Sequence, residues 1–145
     1  MRPIDKRILR FIARHHVLTL AVAKDNIPYC AHCFYAYIPG KNLFIFTSDP
    51  DTRHIRDAAS SGHDQVAAGI ALETRMVGKI RGLQLTGRMF TPDGDDHKAA
   101  RKAYLLRFPY AALTGLHLWA LEPAFMKLTD NRLGFGTKLK WEAGP

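Results

Sequence analysis

Three short apolar, β-rich runs follow one another with almost nothing between them: VLTLAVA at 17–23, PYCAHCFYAY at 28–37 and LFIFTS at 43–48. The separating segments, KDNIP and PGKN, have the composition of turns. That spacing decides the pairing. Parallel neighbours need a crossover of a dozen or more residues, so the three runs pair as an antiparallel meander. Everything else in the chain has to be compatible with that opening.

The remaining segments fit around it. Ile4, Ile8, Phe11 and Ile12 recur at helical spacing, with Arg7, Arg10 and Arg14 elsewhere around the wheel, which predicts an amphipathic helix over 4–14. A short helix is expected over 50–61, capped by Ser48 or Asp49 with Pro50 in its first turn and Gly62 at its end. QVAAGIALE (65–73) and RGLQLTGRMFT (81–91) read as strands four and five. PDGDDHKAARKAYLLRFP opens on turn residues and acids and continues as a helix that must stop by Pro109. LHLWALEPAFMKLTD (116–130) is a long last strand in which Pro123 predicts a bulge or an edge, and NRLGFGTKLKW closes the chain. The expected class is mainly β with flanking helices: a six-stranded antiparallel barrel, whose closure leaves no free edge. With 145 residues and no linker or repeat, residues 1–145 form a single domain.

The formal charge of +8 favours an anionic partner, whether a phosphorylated cofactor, a nucleic acid or an acidic surface. The Lys and Arg residues are scattered rather than clustered, which argues against nucleic acid. A basic barrel binding single-stranded nucleic acid through aromatic and Arg contacts is kept as an alternative. No segment approaches the roughly 18 uninterrupted apolar residues of a membrane span. The charged N-terminus does not supply a signal-peptide core, so a cytoplasmic protein is expected.

The chemistry concentrates at FTSDPDTRHIRD, residues 46–57, where a strand runs directly into a helix. A helix start offers open backbone N–H groups and a partial positive charge. Thr47, Ser48 and Thr52 add hydroxyl donors, and Arg53 adds a planar fork. Asp49 and Asp51 can cap the same helix and would repel an anion, so a phosphate site and an acid-capped surface helix both stand at this point. Cys30 and Cys33 sit three apart on a strand, facing opposite ways, and read as buried structural thiols rather than a zinc or redox pair. Of the seven histidines, His32 and His54 are the candidates of interest. There is no nucleophile elbow, phosphate-binding loop or dinucleotide fingerprint. The aromatics of strands two and three are expected to fill the barrel.

The order of helix, meander, FTSDPDTRHIRD, QVAAGIAL and RGLQLTG resembles the pyridoxamine-5′-phosphate-oxidase-like flavin split barrels. The combination of TRH with RGLQLTG, RKAYLLRFP and TDNRLGFGTKLKW is similar to a small bacterial subgroup of that superfamily. The resemblance implies a six-stranded split β-barrel of Greek-key type that forms a homodimer and holds flavin mononucleotide (FMN) between its subunits. It implies a phosphate grip from Thr47, Ser48, Thr52, Arg53 and His54, centred on Arg53, with Asp49 and Asp51 turned away to cap the helix. It further implies contacts from the fifth strand, matched by Arg81 and Gln84, while Asn131, Lys138 and Trp141 are available near the C-terminus of the second chain. An FMN-dependent oxidoreductase acting on an unknown small molecule is the implied activity. Related barrels bind a deazaflavin or haem, for which His32 or His54 could serve. The C-terminal Arg- and His-containing segment by which the true oxidases recognise pyridoxine phosphates has no match here.

Overall fold

The computed structural model describes residues Met1–Pro145. In chain order it comprises α1 (Lys6–Arg14), β1 (Val17–Lys24), β2 (Ile27–Ile38), β3 (Leu43–Thr47), α2 (Arg53–Ser60), β4 (Gln65–Ala71), β5 (Arg81–Phe90), α3 (Gly94–Arg107), β6 (Leu118–Asp130) and β7 (Lys138–Glu142). Single 3₁₀ turns at Val77–Lys79, Pro109–Leu113 and Asn131–Leu133 link them. The first turn shows why the meander is local. Asp25 and Asn26 take positive φ values of 53° and 63°, the left-handed conformation that a two-residue hairpin needs at both central positions. The second turn uses Asn42, also left-handed and buried, whose Oδ1 accepts a 2.6 Å hydrogen bond from the Tyr37 hydroxyl.

The strands form one antiparallel sheet in the order β3-β2-β1-β4-β5-β6-β7, and pairing of β3 with β6 closes β1–β6 into a ring. The ring is uneven because β6 changes partner along one edge. Its first half pairs with β3 over Leu118–Leu121 and its second with β7 over Phe125–Thr129, while its other edge follows β5 throughout. The change is made at a bulge beside Pro123, where the β5 register steps from Thr86↔Phe125 to Gly87↔Pro123. A proline offers no N–H to a ladder and a bulge bends its strand, so the expected irregularity falls where the barrel splits. β7 is a strand beyond the six expected.

Leu18, Leu20, Tyr35, Phe44, Phe46, Ile70, Leu83, Leu85 and Leu128 fill the interior, each almost wholly buried. Burying one such side chain contributes about 2 kcal/mol before chain entropy is set against it. α1 adds Ile8, Phe11 and Ile12 to this core on the side of Leu128, and α2 adds Ile55, with Ala58 packed near Val22 and Val66. α3 lies outside β2, β3 and β6 and buries Ala100 and Tyr104 against a second cluster containing Leu43, Ile45 and Leu118. Arg107, at the end of α3, ties the layers together by donating to the carbonyls of Tyr35 (3.1 Å), Ala13 (3.3 Å) and His15. Two expectations are corrected. Phe34 is 56% exposed on the outer face rather than inside, and Cys30 is exposed although Cys33 is buried.

The start of α1 carries a pH dependence. Asp5 caps the helix through Arg7 N (2.8 Å) and accepts from the Arg7 guanidinium at 2.8 Å, and these bonds pull its carboxyl down to about 2. A carboxylate with a depressed folded-state pKa stabilises above its unfolded value, near 3.9, and loses that contribution as pH falls through the folded value. Thermal melts between pH 4 and pH 2 should therefore show a steeper loss of stability for the wild type than for Asp5→Asn. Parallel curves would remove the Asp5–Arg7 contact from the stability account.

Candidate functional site

The site is built where β3 hands the chain to α2. Ser48 is clamped to β6 by three bonds or contacts through its main chain and neighbour. Its N–H donates to the His117 carbonyl (3.2 Å), its carbonyl accepts from Trp119 Nε1 (2.9 Å), and Thr47 Oγ1 accepts from His117 N–H (3.3 Å). With its backbone fixed, Ser48 Oγ stands 2.8 Å from His54 Nε2 and 3.8 Å from Cys33 Sγ. Burial lowers the His54 pKa below its ordinary 6.5, so the imidazole is neutral at neutral pH and can share a proton with the serine hydroxyl. Burial likewise pushes the Cys33 thiol up, so it remains protonated.

α2 begins at Arg53 with Thr52 at its N-cap, later than the expected start at Pro50. Thr52 does not cap the helix with its side chain, because its hydroxyl donates to the Asp49 carbonyl at 2.8 Å. Asp49 and Asp51 do not cap it either, which corrects the role expected for them. The N–H groups of the first turn are left open at the positive end of the helix dipole. Arg53 lies beside them, 51% exposed, with its guanidinium 4.1 Å from the centre of the Tyr29 ring and its Nε 3.3 Å from Asp57 Oδ2. The contact with Asp57 is long and solvated, so it holds Arg53 weakly and leaves the fork available.

Within one chain the structure thus brings together Thr47, Ser48, Thr52, Arg53 and His54. Arg81 and Gln84 lie elsewhere. Both border a groove of about 490 Å³ beside β1, β4 and β5, with Thr19, Gly69 and Thr129, but Gln84 faces outward there whereas Arg81, three residues away on the strand, lies on the opposite face towards α1. Gln84 pairs with Gly69 on one side and Lys127 on the other, and Arg81 pairs with Asp130 at the far end of β6 from Leu118, the partner of Thr47. His32 is also on the outer face, its Nδ1 2.9 Å from Thr19 Oγ1. Asn131 is occupied locally, donating to the Val77 carbonyl and accepting from Gly136 N–H, and Trp141 Nε1 donates to the Arg2 carbonyl. Three members of the junction had no signal in the sequence. Tyr29 under Arg53, and His117 and Trp119 behind Ser48, reach it only through tertiary pairing.

No family model matches the chain. Across 93% of its length, however, it is 37% identical to UPF0306 protein plu4501 of Photorhabdus laumondii, covering 93% of that protein. The chain belongs to the UPF0306 family. A UPF0306 protein of Yersinia pestis is 36% identical over 92% of this chain and 90% of its own. Among solved structures, this UPF0306 chain is similar to a haem binding protein from Mycobacterium smegmatis (TM-score 0.77, 21% identity, 98% of this chain and 59% of that one). It is also similar to a FAD-binding protein from Mesorhizobium loti (TM-score 0.68, 17% identity, 87% and 94%) and to HutZ, a haem storage protein from Vibrio cholerae (0.67, 16%, 85% and 91%). At these identities the likeness shows the fold, a split barrel.

Proposed function

We propose that this chain binds flavin mononucleotide as a homodimer, with the phosphate on the β3–α2 junction, and serves as an oxidoreductase for a small molecule. The observation that carries the reading is the uncapped start of α2, whose open N–H groups are flanked in the chain by Ser48, bonded to His54, and by the exposed Arg53 fork. That donor set suits a phosphate dianion: main-chain N–H groups, the Ser48 hydroxyl and a guanidinium make charge-assisted bonds, and the Arg53–Asp57 surface pair is weak enough to be given up. A ligand that touches both the junction and the outer groove at Gln84 is best accommodated between two copies of the chain, which supports the dimer. The exposed Phe34 and the small side chains of Ala67, Gly69 and Ala71 on the outer face allow such an approach.

Bound flavin supplies hydride transfer. The chain's part is to hold the phosphate through Arg53, Ser48 and the open N–H groups at the start of α2, to fix the ligand against the sheet, and to exclude water from it. A phosphate beside Ser48 favours the charged imidazole, so His54 can donate from Nε2 to Ser48 Oγ while the serine hydroxyl donates on to the phosphate. No acid–base residue is assigned to the substrate.

An absorbance spectrum of the purified protein, before and after FMN is added, tests the reading. Flavin bands that co-elute with a dimer on size-exclusion chromatography are expected, with FMN held more tightly than FAD or riboflavin. A colourless protein that fails to retain added FMN would overturn it. The haem-binding neighbours and the exposed His32 favour one second reading, haem on the same fold. A Soret band after haem addition, lost in His32→Ala, would replace the flavin reading.

A further inference from the structure

A second cluster of cations lies towards the opposite end of β6 from the junction. α1 presents Arg7, Arg10 and Arg14 at helical spacing, and across from them stand Arg81 at the start of β5 and Arg132 just beyond β6. Together they line a recess of about 450 Å³, with Phe11 and Leu128 among its apolar members. On an isolated helix three exposed arginines would simply be solvated. Here five guanidiniums share one concavity, and every cation in its lining is Arg rather than Lys. Planar forks in that number match oxyanions bidentately, which an ammonium does not.

The acids in reach are already engaged. Asp130, 1% exposed, accepts from the Arg132 guanidinium at 2.8 and 3.1 Å and from its main-chain N–H at 3.0 Å. Asp5 is taken by Arg7 at 2.8 Å. Arg10, Arg14 and Arg81 have no carboxylate partner, so three positive charges around the recess are unbalanced. An independent observation points to a missing acceptor: Arg81 Nε is buried and has no hydrogen-bond partner, the one such side-chain atom in the chain. Buried donors are nearly always satisfied, so an orphan on the wall of a cationic recess marks a place where an acceptor belongs.

We infer that the recess between α1 and the β5–β6 end binds a small phosphate-bearing anion through Arg10, Arg14 and Arg81, with Arg7 and Arg132 held in place by Asp5 and Asp130. Its volume is within the range of small-ligand pockets and exceeds the needs of inorganic phosphate alone, so the occupant is a phosphorylated small molecule carrying at least two charges. The site is separate from the β3–α2 junction and does not depend on the flavin reading.

Isothermal titration with inorganic pyrophosphate, at physiological salt and with the Arg53→Ala chain so that the junction does not compete, tests this. One-to-one binding per chain is expected. Added to that chain, Arg14→Gln and Arg81→Lys should each weaken it at least tenfold, whereas the surface control Arg75→Gln should change it less than twofold. Arg14 is exposed, so its variant folds even if the Arg81 variant does not. Loss of all binding in Arg53→Ala while the wild type still binds would place the anion at the junction and overturn the proposal. An equal loss in Arg75→Gln, or no saturable binding at all, would reduce the recess to a solvated cationic surface.

Discussion

Truncating Arg53 to Ala should weaken FMN binding about a hundredfold, while Arg56→Ala should change it by less than about threefold. Arg53 stacks on Tyr29 beside the open N–H groups of α2, and its only ionic partner is Asp57 at 3.3 Å. Removing a bidentate, charge-assisted contact to phosphate costs about 2–3 kcal/mol, which gives the hundredfold figure. Arg56 is exposed on the same short helix, forms no ion pair, and carries the same charge. The pair of variants therefore separates a specific grip from the general attraction of a chain with a formal charge of +8. Loss of the surface pair and the ring contact should cost about 1 kcal/mol of stability, small enough for both variants to be compared folded. Fluorescence titration with FMN reads the ratio directly. Equal weakening by the two variants would return this stretch to an ordinary surface helix.

The same residues show what could be read from the sequence and what could not. The meander was legible because its determinants are local: alternating apolar runs and, in the first hairpin, Asp25 and Asn26 at positions that need left-handed backbone. The bulge at Pro123 was legible because proline lacks the donor that a ladder requires. The start of α2 was misjudged. Asp49 and Pro50 carry the composition of a helix entry, but the chain spends them on a turn that Thr52 closes with its own hydroxyl. β7 was missed because Lys138 and Lys140 make its outward side look like a solvated tail. Only pairing with Phe125–Thr129 and burial of Trp141 make it a strand. The hydroxyls and bases of the junction lie within eight residues, Thr47 to His54, and so were visible together. The clamp from His117 and Trp119 lies some seventy residues away and is set by the β3–β6 closure. Arg81 and Gln84 are close in sequence, yet the structure sets them on a groove apart from the junction.

Next to that closure β5 and β6 approach closely at one glycine, and replacing Gly87 by Ala should lower the melting temperature by about 10 °C. Gly87 sits on β5 opposite Pro123, at the step where β6 turns from β3 towards β7. A Cβ at this position would lie 2.1 Å from the Glu122 carbonyl oxygen and 2.9 Å from Pro123 Cα. Both are main-chain atoms of the bulge, so no side chain can swing away, and one strand must move bodily. Overpacking that the backbone has to absorb costs about 3 kcal/mol, and a domain of this size loses roughly 2–4 °C for each kcal/mol. Gly69→Ala is the matched comparison on the neighbouring strand. Its added methyl would meet only the Leu83 carbonyl at 3.8 Å, an ordinary contact, and Ala restricts the unfolded chain more than Gly does. The Gly69 variant should therefore melt at or slightly above the wild type. If Gly87→Ala instead melted within about 2 °C of wild type, the two strands could not be in the close approach on which the split of the barrel depends.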